Sequence, residues 1–180
     1  MRGHSVPDLS QIDLKTYNID HSKIEALITD KTKAIVPVHF AGLSCDMKAI
    51  AEIARKHNLF VIEDACQALG GSYRGIKIGS CAYSDISVFS FHPVKSITTG
   101  EGGAILTNNH EFYRKLMQLR THGITKESDL LHENHGPWYY ETQYLSNNYR
   151  ITDILCALGT SQLKKLNQFI SRRQEIADYY

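Results

Sequence analysis

Three polar side chains follow two apolar segments of the sequence, and their types suit one kind of chemistry. Asp64 comes just after the apolar run 59–62, Ser90 lies near the end of the run 86–91, and Lys95 follows five residues after Ser90. Ligands bind at the carboxyl ends of parallel strands, so we expect these side chains to line one crevice. A carboxylate, a hydroxyl and an amine in one crevice suit pyridoxal phosphate. The lysine would form its Schiff base, and the aspartate would keep the ring nitrogen protonated.

Each of these residues also has a simpler interpretation. Asp64 could cap a helix after its strand, Lys95 could be a solvated loop lysine, and Ser90 could satisfy backbone groups. The glycine-rich run 100–103 could hold a phosphate, but such a run more often forms a tight turn before a strand, which we favour here. Spacing alone therefore leaves the cofactor as one of several possibilities.

Rival motifs are missing from the sequence. No GxGxxG dinucleotide fingerprint follows a predicted strand, and there is no GxxxxGK[ST] phosphate loop. Residues 132–135 do not have HExxH spacing, and the four cysteines form no CxxC pair. We therefore expect neither a metal site nor a disulfide framework.

Composition narrows the class of protein. The chain has 180 residues, which is enough for one domain or a piece of a larger one. Hydrophobic residues make up 42% and charged residues 22%, as in a globular protein, and the formal net charge is +1. That charge argues against nucleic-acid and membrane partners bound by bulk charge. No apolar stretch is long enough to span a bilayer, and residues 1–10 lack an apolar signal core, so we expect a cytoplasmic chain with reduced thiols.

Strand and helix patterns alternate along the chain. Predicted strands cover residues 12–14, 34–40, 59–62, 86–91 and 103–107, and a hairpin covers residues 73–79. Predicted helices cover residues 21–28, 46–57, 111–120, 152–166 and 168–180, with Ser22 and Glu25 at capping-box spacing in the first. Pro37 warns of an edge or a bulge in its strand. This order predicts an α/β fold with a mostly parallel sheet flanked by helices.

Longer segments carry a resemblance to a known family. Residues 89–103 (FSFHPVKSITTGEGG), 63–70 (EDACQALG), 120–123 (RTHG) and 148–150 (NYR) resemble the signatures of the DegT/StrS family of nucleotide-sugar aminotransferases. Further segments resemble the branch of that family that acts in pseudaminic-acid biosynthesis, namely residues 122–126, 135–141, 156–159 and 162–166. The resemblance implies part of the large domain of the aspartate-aminotransferase fold. It also implies transfer of an amino group, usually from glutamate, to C4 of a UDP-linked 4-keto-6-deoxy amino sugar.

The resemblance assigns a role to five residues of this chain. Lys95 matches the lysine that carries pyridoxal 5′-phosphate and moves the proton between sugar C4 and cofactor C4′, and Asp64 matches the partner of the pyridine nitrogen. Gln67 matches a polar position near the cofactor ring, and Ser90 matches the hydroxyl that binds the cofactor phosphate. Asn148 matches an asparagine that reaches the phosphate from the partner subunit, so the resemblance implies a homodimer.

Two departures from the family pattern matter. The family has Gly-Tyr or Gly-His before its asparagine, whereas this chain has Ser146 and Asn147, which leaves Asn147 as an alternative to Asn148. Family members are also considerably longer than this chain. We therefore expect residues 1–150 to be a partial cofactor-binding large domain and residues 151–180 to be helices that lead toward a small domain.

Two alternatives to this function remain. The chain could be an inactive, truncated remnant of the family, or it could act on another sugar as a different aminotransferase of the same family. A third alternative is a dehydratase-like relative, and Lys95 disfavours it because such relatives carry histidine at the lysine position.

Overall fold

The computed structural model describes Val6 and residues 8–180. Its helices are α1 (His21–Ile24), α2 (Met47–Lys56), α3 (His110–Leu119), α4 (Asp153–Leu163) and α5 (Leu166–Tyr179). Its strands are β1 (Ala34–Ile35), β2 (Phe60–Asp64), β3 (Ser72–Tyr73), β4 (Ile76–Lys77), β5 (Ile86–Ser90), β6 (Gly103–Leu106), β7 (Ile124–Thr125) and β8 (Glu141–Thr142). In this part of the chain, no helix is both long and apolar enough to span a membrane.

The central sheet has four strands in the order β1-β2-β5-β6. The β1–β2 and β2–β5 pairs are parallel, and β6 returns antiparallel to β5. The predicted α/β class with a mostly parallel sheet is therefore confirmed. Two small antiparallel ladders accompany it, the predicted hairpin β3–β4 and the pair β7–β8.

One hydrophobic core lies between α2 and the first two strands of the sheet. The helix turns one apolar face inward, which buries Met47, Ile50 and Ala54 against Ile35 and Val61. The Asp46 carboxylate caps this helix by accepting the backbone N–H of Ala49 at 3.3 Å. The cap and the buried face fix the helix that returns the chain to the start of β2.

The capping box predicted for the first helix is wrong. The cap is Asp20, whose carboxylate accepts the backbone N–H of Ser22 at 3.0 Å and its hydroxyl at 2.7 Å. Glu25 instead binds Lys56 and His57 at the end of α2, each at 2.7 Å. The side-chain contacts between two helices therefore override the local spacing.

Two predicted strands are shorter than the sequence suggests. The strand predicted over residues 34–40 pairs regularly only at Ala34–Ile35, and Val38 then makes a single bridge to Asp64. Pro37 interrupts the ladder because it has no N–H to donate. The strand predicted over residues 12–14 is reduced to one bridge between Ile12 and Ile19.

The last two helices pack beside the loop that follows β5. Thr152 caps α4 by accepting the backbone N–H of Leu155 at 3.4 Å. In α5, the Arg173 guanidinium donates to the carbonyl oxygen of Ser96 at 3.1 Å.

The predicted domain division after residue 150 stays a prediction. The polar segment 1–10 falls mostly outside the described residues.

Candidate functional site

The parallel register places Asp64 and Ser90 at one edge of the sheet. Asp64 ends β2 and pairs with Val88, and Ser90 ends β5 two residues beyond that partner. The carboxyl ends of both strands therefore meet where parallel α/β sheets bind ligands. This is the end of the sheet at which the sequence predicts the crevice.

Two main-chain hydrogen bonds to the segment after β1 fix the position of Asp64. Its N–H donates to the Pro37 carbonyl at 2.9 Å, and its own carbonyl accepts the His39 N–H at 3.0 Å. The carboxylate accepts the backbone N–H of Cys66 at 3.1 Å. A turn rather than a helix follows Asp64, and the carboxylate caps that turn, which is the simpler role that the sequence left open.

Lys95 lies in the loop after β5. Its charge and the charge of Asp64 both act on the thiol of Cys66. Burial raises the pKa of the Cys66 thiol to about 11, and the hydrogen-bonded Asp64 carboxylate adds to this rise. The positive charge of Lys95 acts on the same thiol in the opposite direction. The charges of the amine and of the carboxylate therefore both act on one thiol. The alternative of a fully solvated lysine does not apply, because Lys95 is partly buried.

Ser90 has a backbone partner as well as a place at the strand end. Its hydroxyl oxygen accepts the His92 N–H at 3.3 Å, which is the structural role that the sequence left open. That bond uses the oxygen as an acceptor, so the hydroxyl proton can still be donated to an anion.

The Gln67 side chain binds the neighbouring turn at residues 40–42. Its amide oxygen accepts the backbone N–H of Ala41 at 2.7 Å. Ala41 has a positive φ of 52°, and at Gly42 a Cβ would come within 2.9 Å of the Gln67 carbonyl oxygen. This close approach requires glycine at position 42, and it keeps Gln67 next to the Asp64 turn.

Asn148 lies in another part of the structure. It makes an isolated bridge with Thr121, its side-chain oxygen accepts the Arg150 N–H at 3.1 Å, and the residue is exposed. Asn147 donates from its side chain to the Tyr149 hydroxyl at 2.9 Å. Among the contacts of the described residues, none joins either asparagine to Asp64 or Lys95.

The glycine-rich run 100–103 forms the turn that leads into β6. The Gly100 N–H donates to the Thr98 hydroxyl at 2.8 Å, and the Gly102 carbonyl accepts the Phe91 N–H at 2.9 Å. Gly102 has a φ of 144°, and a Cβ there would meet Ile151 and Thr99. The turn interpretation that we favoured for this run agrees with its hydrogen bonds.

The structure shows a polar group beneath the site that the sequence analysis did not single out. His39 and Glu63 are buried, and His39 Nε2 lies 3.1 Å from Glu63 Oε2. Ser84 donates its hydroxyl to the other carboxylate oxygen. A histidine and a glutamate inside apolar strand segments were the available signal, because such groups are rarely buried without a partner.

The described residues contain no cluster of three or more His, Cys, Asp or Glu side chains that could hold a metal ion. The candidate site is built from a carboxylate, an amine, a hydroxyl and an amide. These groups can bind a small molecule that carries a basic ring nitrogen, a carbonyl carbon and an anionic group.

Comparisons with known proteins agree with this donor set. The sequence model of the DegT/DnrJ/EryC1/StrS aminotransferase family matches residues 2–180. The chain is 46% identical over 173 residues to a UDP-4-amino-4,6-dideoxy-N-acetyl-β-L-altrosamine transaminase of Campylobacter jejuni, covering 94% of this chain and 43% of that protein.

Solved structures of aminotransferases have the same fold over nearly all of this chain. Helicobacter pylori PseC, an aminotransferase of pseudaminic-acid biosynthesis, matches with a TM-score of 0.85 and 37% identity, covering 94% of this chain and 43% of PseC. The putative sugar aminotransferase Spr1654 of Streptococcus pneumoniae, in its PLP form, matches with a TM-score of 0.83 and 29% identity, covering 97% of this chain and 47% of Spr1654. The chain thus spans less than half the length of these proteins.

The electrostatic grouping around Cys66 can be tested without any cofactor. We expect Asp64→Asn to speed alkylation of Cys66 by iodoacetamide at pH 8, because losing the carboxylate lowers the thiol pKa and increases the thiolate fraction. Lys95→Ala should slow the reaction, because it removes the charge that favours the thiolate. Mass spectrometry of the Cys66 peptide against pH measures both effects, with Asp153→Asn on exposed α4 as the control. Equal profiles for all variants would contradict the grouping.

Proposed function

Because this chain belongs to the DegT/DnrJ/EryC1/StrS aminotransferase family, we propose that it carries the cofactor-binding part of a pyridoxal-phosphate-dependent nucleotide-sugar aminotransferase. The observation that carries the proposal is the grouping at the carboxyl edge of the sheet. There the Asp64 carboxylate and the Lys95 amine act on one thiol, and Ser90 ends the adjacent strand.

The residues present fit pyridoxal phosphate by their chemistry. The Asp64 carboxylate would pair with the protonated ring nitrogen, and the Lys95 amine would attach the cofactor through its aldehyde carbon. The Ser90 hydroxyl would donate to the phosphate, and Gln67 would lie beside the ring. Hydrogen bonds to the segments on both sides fix the peptide group that follows Asp64. The carboxylate therefore needs little reorganisation to bind the ring nitrogen.

The bound cofactor supplies an electron sink for the electrons that remain when a C–H bond breaks. Asp64 supports that sink because its negative charge favours a protonated ring nitrogen. The Lys95 amine would also act as the base that moves the proton at the reacting carbon. Lys95 stands beside a thiol with a pKa of about 11, so Cys66 stays protonated near neutral pH and does not compete as a nucleophile.

The proposed acceptor is a UDP-linked 4-keto-6-deoxy amino sugar that is aminated at C4 for pseudaminic-acid biosynthesis, with glutamate as the amino donor. The Campylobacter transaminase and Helicobacter PseC support this acceptor by their names. The acceptor is therefore tested by comparing UDP- and GDP-linked keto sugars.

We further propose that the active form is a homodimer in which Asn148 completes the partner's site. Asn148 is exposed and lies in a different segment from the strand-end group. Nevertheless, Ile151, three residues later, packs at Gly102 in the loop that follows Lys95. An exposed amide near this loop can reach an anion bound by a second copy.

Removing the Lys95 amine tests the cofactor assignment. In wild-type protein, borohydride should fix pyridoxal phosphate covalently to Lys95, and Lys95→Ala should abolish this trapping together with amino-sugar formation, because the covalent route is lost. Intact-mass analysis with peptide mapping measures the attachment. Lys48→Ala, an exposed change on α2, is the control and should trap normally. Trapping at another lysine in the wild type would contradict the assignment.

Mixing two inactive variants tests whether Asn148 acts across the dimer. Lys95→Ala and Asn148→Ala should each be impaired alone. Unfolding and refolding them together in equal amounts should restore about a quarter of wild-type activity, because half the dimers then contain one intact site. The same mixture of Lys95→Ala with Asn147→Ala tests the alternative asparagine. No recovery in either mixture, with heterodimers confirmed by native mass spectrometry, would place the asparagine outside the partner's site.

A further inference from the structure

A polar group of three contacting side chains, His39, Glu63 and Ser84, lies next to the carboxyl end of β2. The His39 side chain is 0% exposed and Glu63 is 4% exposed. His39 Nε2 lies 3.1 Å from Glu63 Oε2, and the Ser84 hydroxyl donates to Glu63 Oε1. The carboxylate of Glu63 therefore has a partner on each oxygen.

The hydrogen bonds fix which nitrogen of His39 carries the proton. The backbone N–H of Cys45 donates to His39 Nδ1 at 3.2 Å, so Nδ1 acts as an acceptor. Nε2 must then carry the proton and donate it to Glu63. This arrangement holds the imidazole ring in one orientation between two segments of the chain.

The main chain of His39 connects this group to the candidate site. The His39 N–H donates to the carbonyl of Asp64, and Asp64 donates back to the carbonyl of Pro37. The His39 carbonyl accepts the Gly42 N–H at 3.1 Å, which closes the turn where Ala41 binds the Gln67 side chain. One histidine thus bonds to the strand that carries Asp64 and to the turn that holds Gln67.

The location of the group explains why it is polar. Regular β1–β2 pairing ends at Ile35, and Pro37 has no N–H to continue the ladder. A buried carboxylate is costly, and an apolar substitute of similar size often stabilises a protein as well or better. The His39–Glu63 bond instead joins the two segments just beyond Pro37, where the pairing resumes at Asp64.

We propose that His39, Glu63 and Ser84 form a positioning group that sets the place of the Asp64 carboxylate relative to the cofactor ring. This inference rests on the proposed function. Glu63 neighbours Asp64 on β2, and side chains of neighbouring strand residues point to opposite faces, so Glu63 acts through the strand and not on the cofactor itself.

The test compares Glu63→Leu with the conservative Glu63→Gln. Leucine removes both acceptors and leaves the His39 N–H buried without a partner. Glutamine can still accept from His39 with its amide oxygen, while the Ser84 hydroxyl turns to accept from the amide nitrogen. Ser84→Ala, which removes one donor only, is a milder variant in case the leucine protein does not fold. Ile50→Ala is the matched control, because it disrupts the same core without touching the polar group.

The readout is the pH titration of the bound cofactor's visible absorbance, together with kcat. A displaced Asp64 favours the ring-nitrogen proton less. With less positive charge on the ring, the cofactor accepts its other proton more readily. The pH midpoint of the absorbance titration therefore rises by roughly one unit. We expect this rise and about a tenfold loss of kcat for Glu63→Leu, a smaller rise for Ser84→Ala, and near wild-type values for Glu63→Gln. Ile50→Ala should lower the melting temperature and leave the midpoint unchanged.

Two outcomes separate this inference from the proposed function. If wild-type protein takes up no pyridoxal phosphate, both are wrong. If the wild type binds it at Lys95, and Glu63→Leu and Ser84→Ala behave like Ile50→Ala in the titration, the positioning role is wrong and the proposed function stands.

Discussion

Asp64 is held by main-chain hydrogen bonds, its own to one side and that of the next residue to the other, and the remaining features of the site are arranged around that constraint. On one side it exchanges bonds with Pro37 and His39, and on the other the next residue, Ala65, donates to the Val88 carbonyl at 2.9 Å. The parallel register that makes these bonds also brings Ser90 to the same edge. A carboxylate fixed in this way can bind a cationic ring nitrogen without first having to be ordered.

Helices α4 and α5, and the segment just before α4, contact the loop that carries Lys95. Arg173 of α5 donates to the carbonyl of Ser96, Gly159 of α4 lies against the Thr99 methyl group, and Ile151 packs at Gly102. These contacts all fall in the loop between β5 and β6 that carries Lys95. The strands therefore position the carboxylate, whereas the helices help to position the amine, and the geometry between them depends on both.

Sequence patterns predicted the strand ends because continuous apolar runs mark buried parallel strands, and Asp64, Ser90 and Lys95 lie near the ends of such runs. Of these three, Ser90 lies inside its run, and Asp64 and Lys95 come two and four residues after theirs. The patterns failed where long-range contacts overrode local spacing. Glu25 fits a capping box in sequence, but Lys56 and His57 of another helix bind its carboxylate. The roles given to Gln67 and Asn148 came from family resemblance, because a lone amide carries no signal of its own.

The polar group beneath Asp64 was missed for a related reason. His39 and Glu63 lie 24 positions apart, and only the pairing of β1 with β2 brings them together. Ser84, 21 positions from Glu63, lies in the segment before β5 and completes the group. A polar residue within an apolar strand segment is a signal of burial, but each residue alone does not identify its partner. The periodicity of a single sequence does not show that these residues come together in the fold.

The central claim is that Asp64 and Lys95 hold the two ends of one pyridoxal phosphate ring system. A crystal structure of the purified protein grown with pyridoxal phosphate tests it most directly. The account predicts a carboxylate oxygen of Asp64 within hydrogen-bond distance of the ring nitrogen, and density that joins the cofactor to Lys95 Nζ. A cofactor bound elsewhere, or one in this crevice whose ring nitrogen faces away from Asp64, would contradict it.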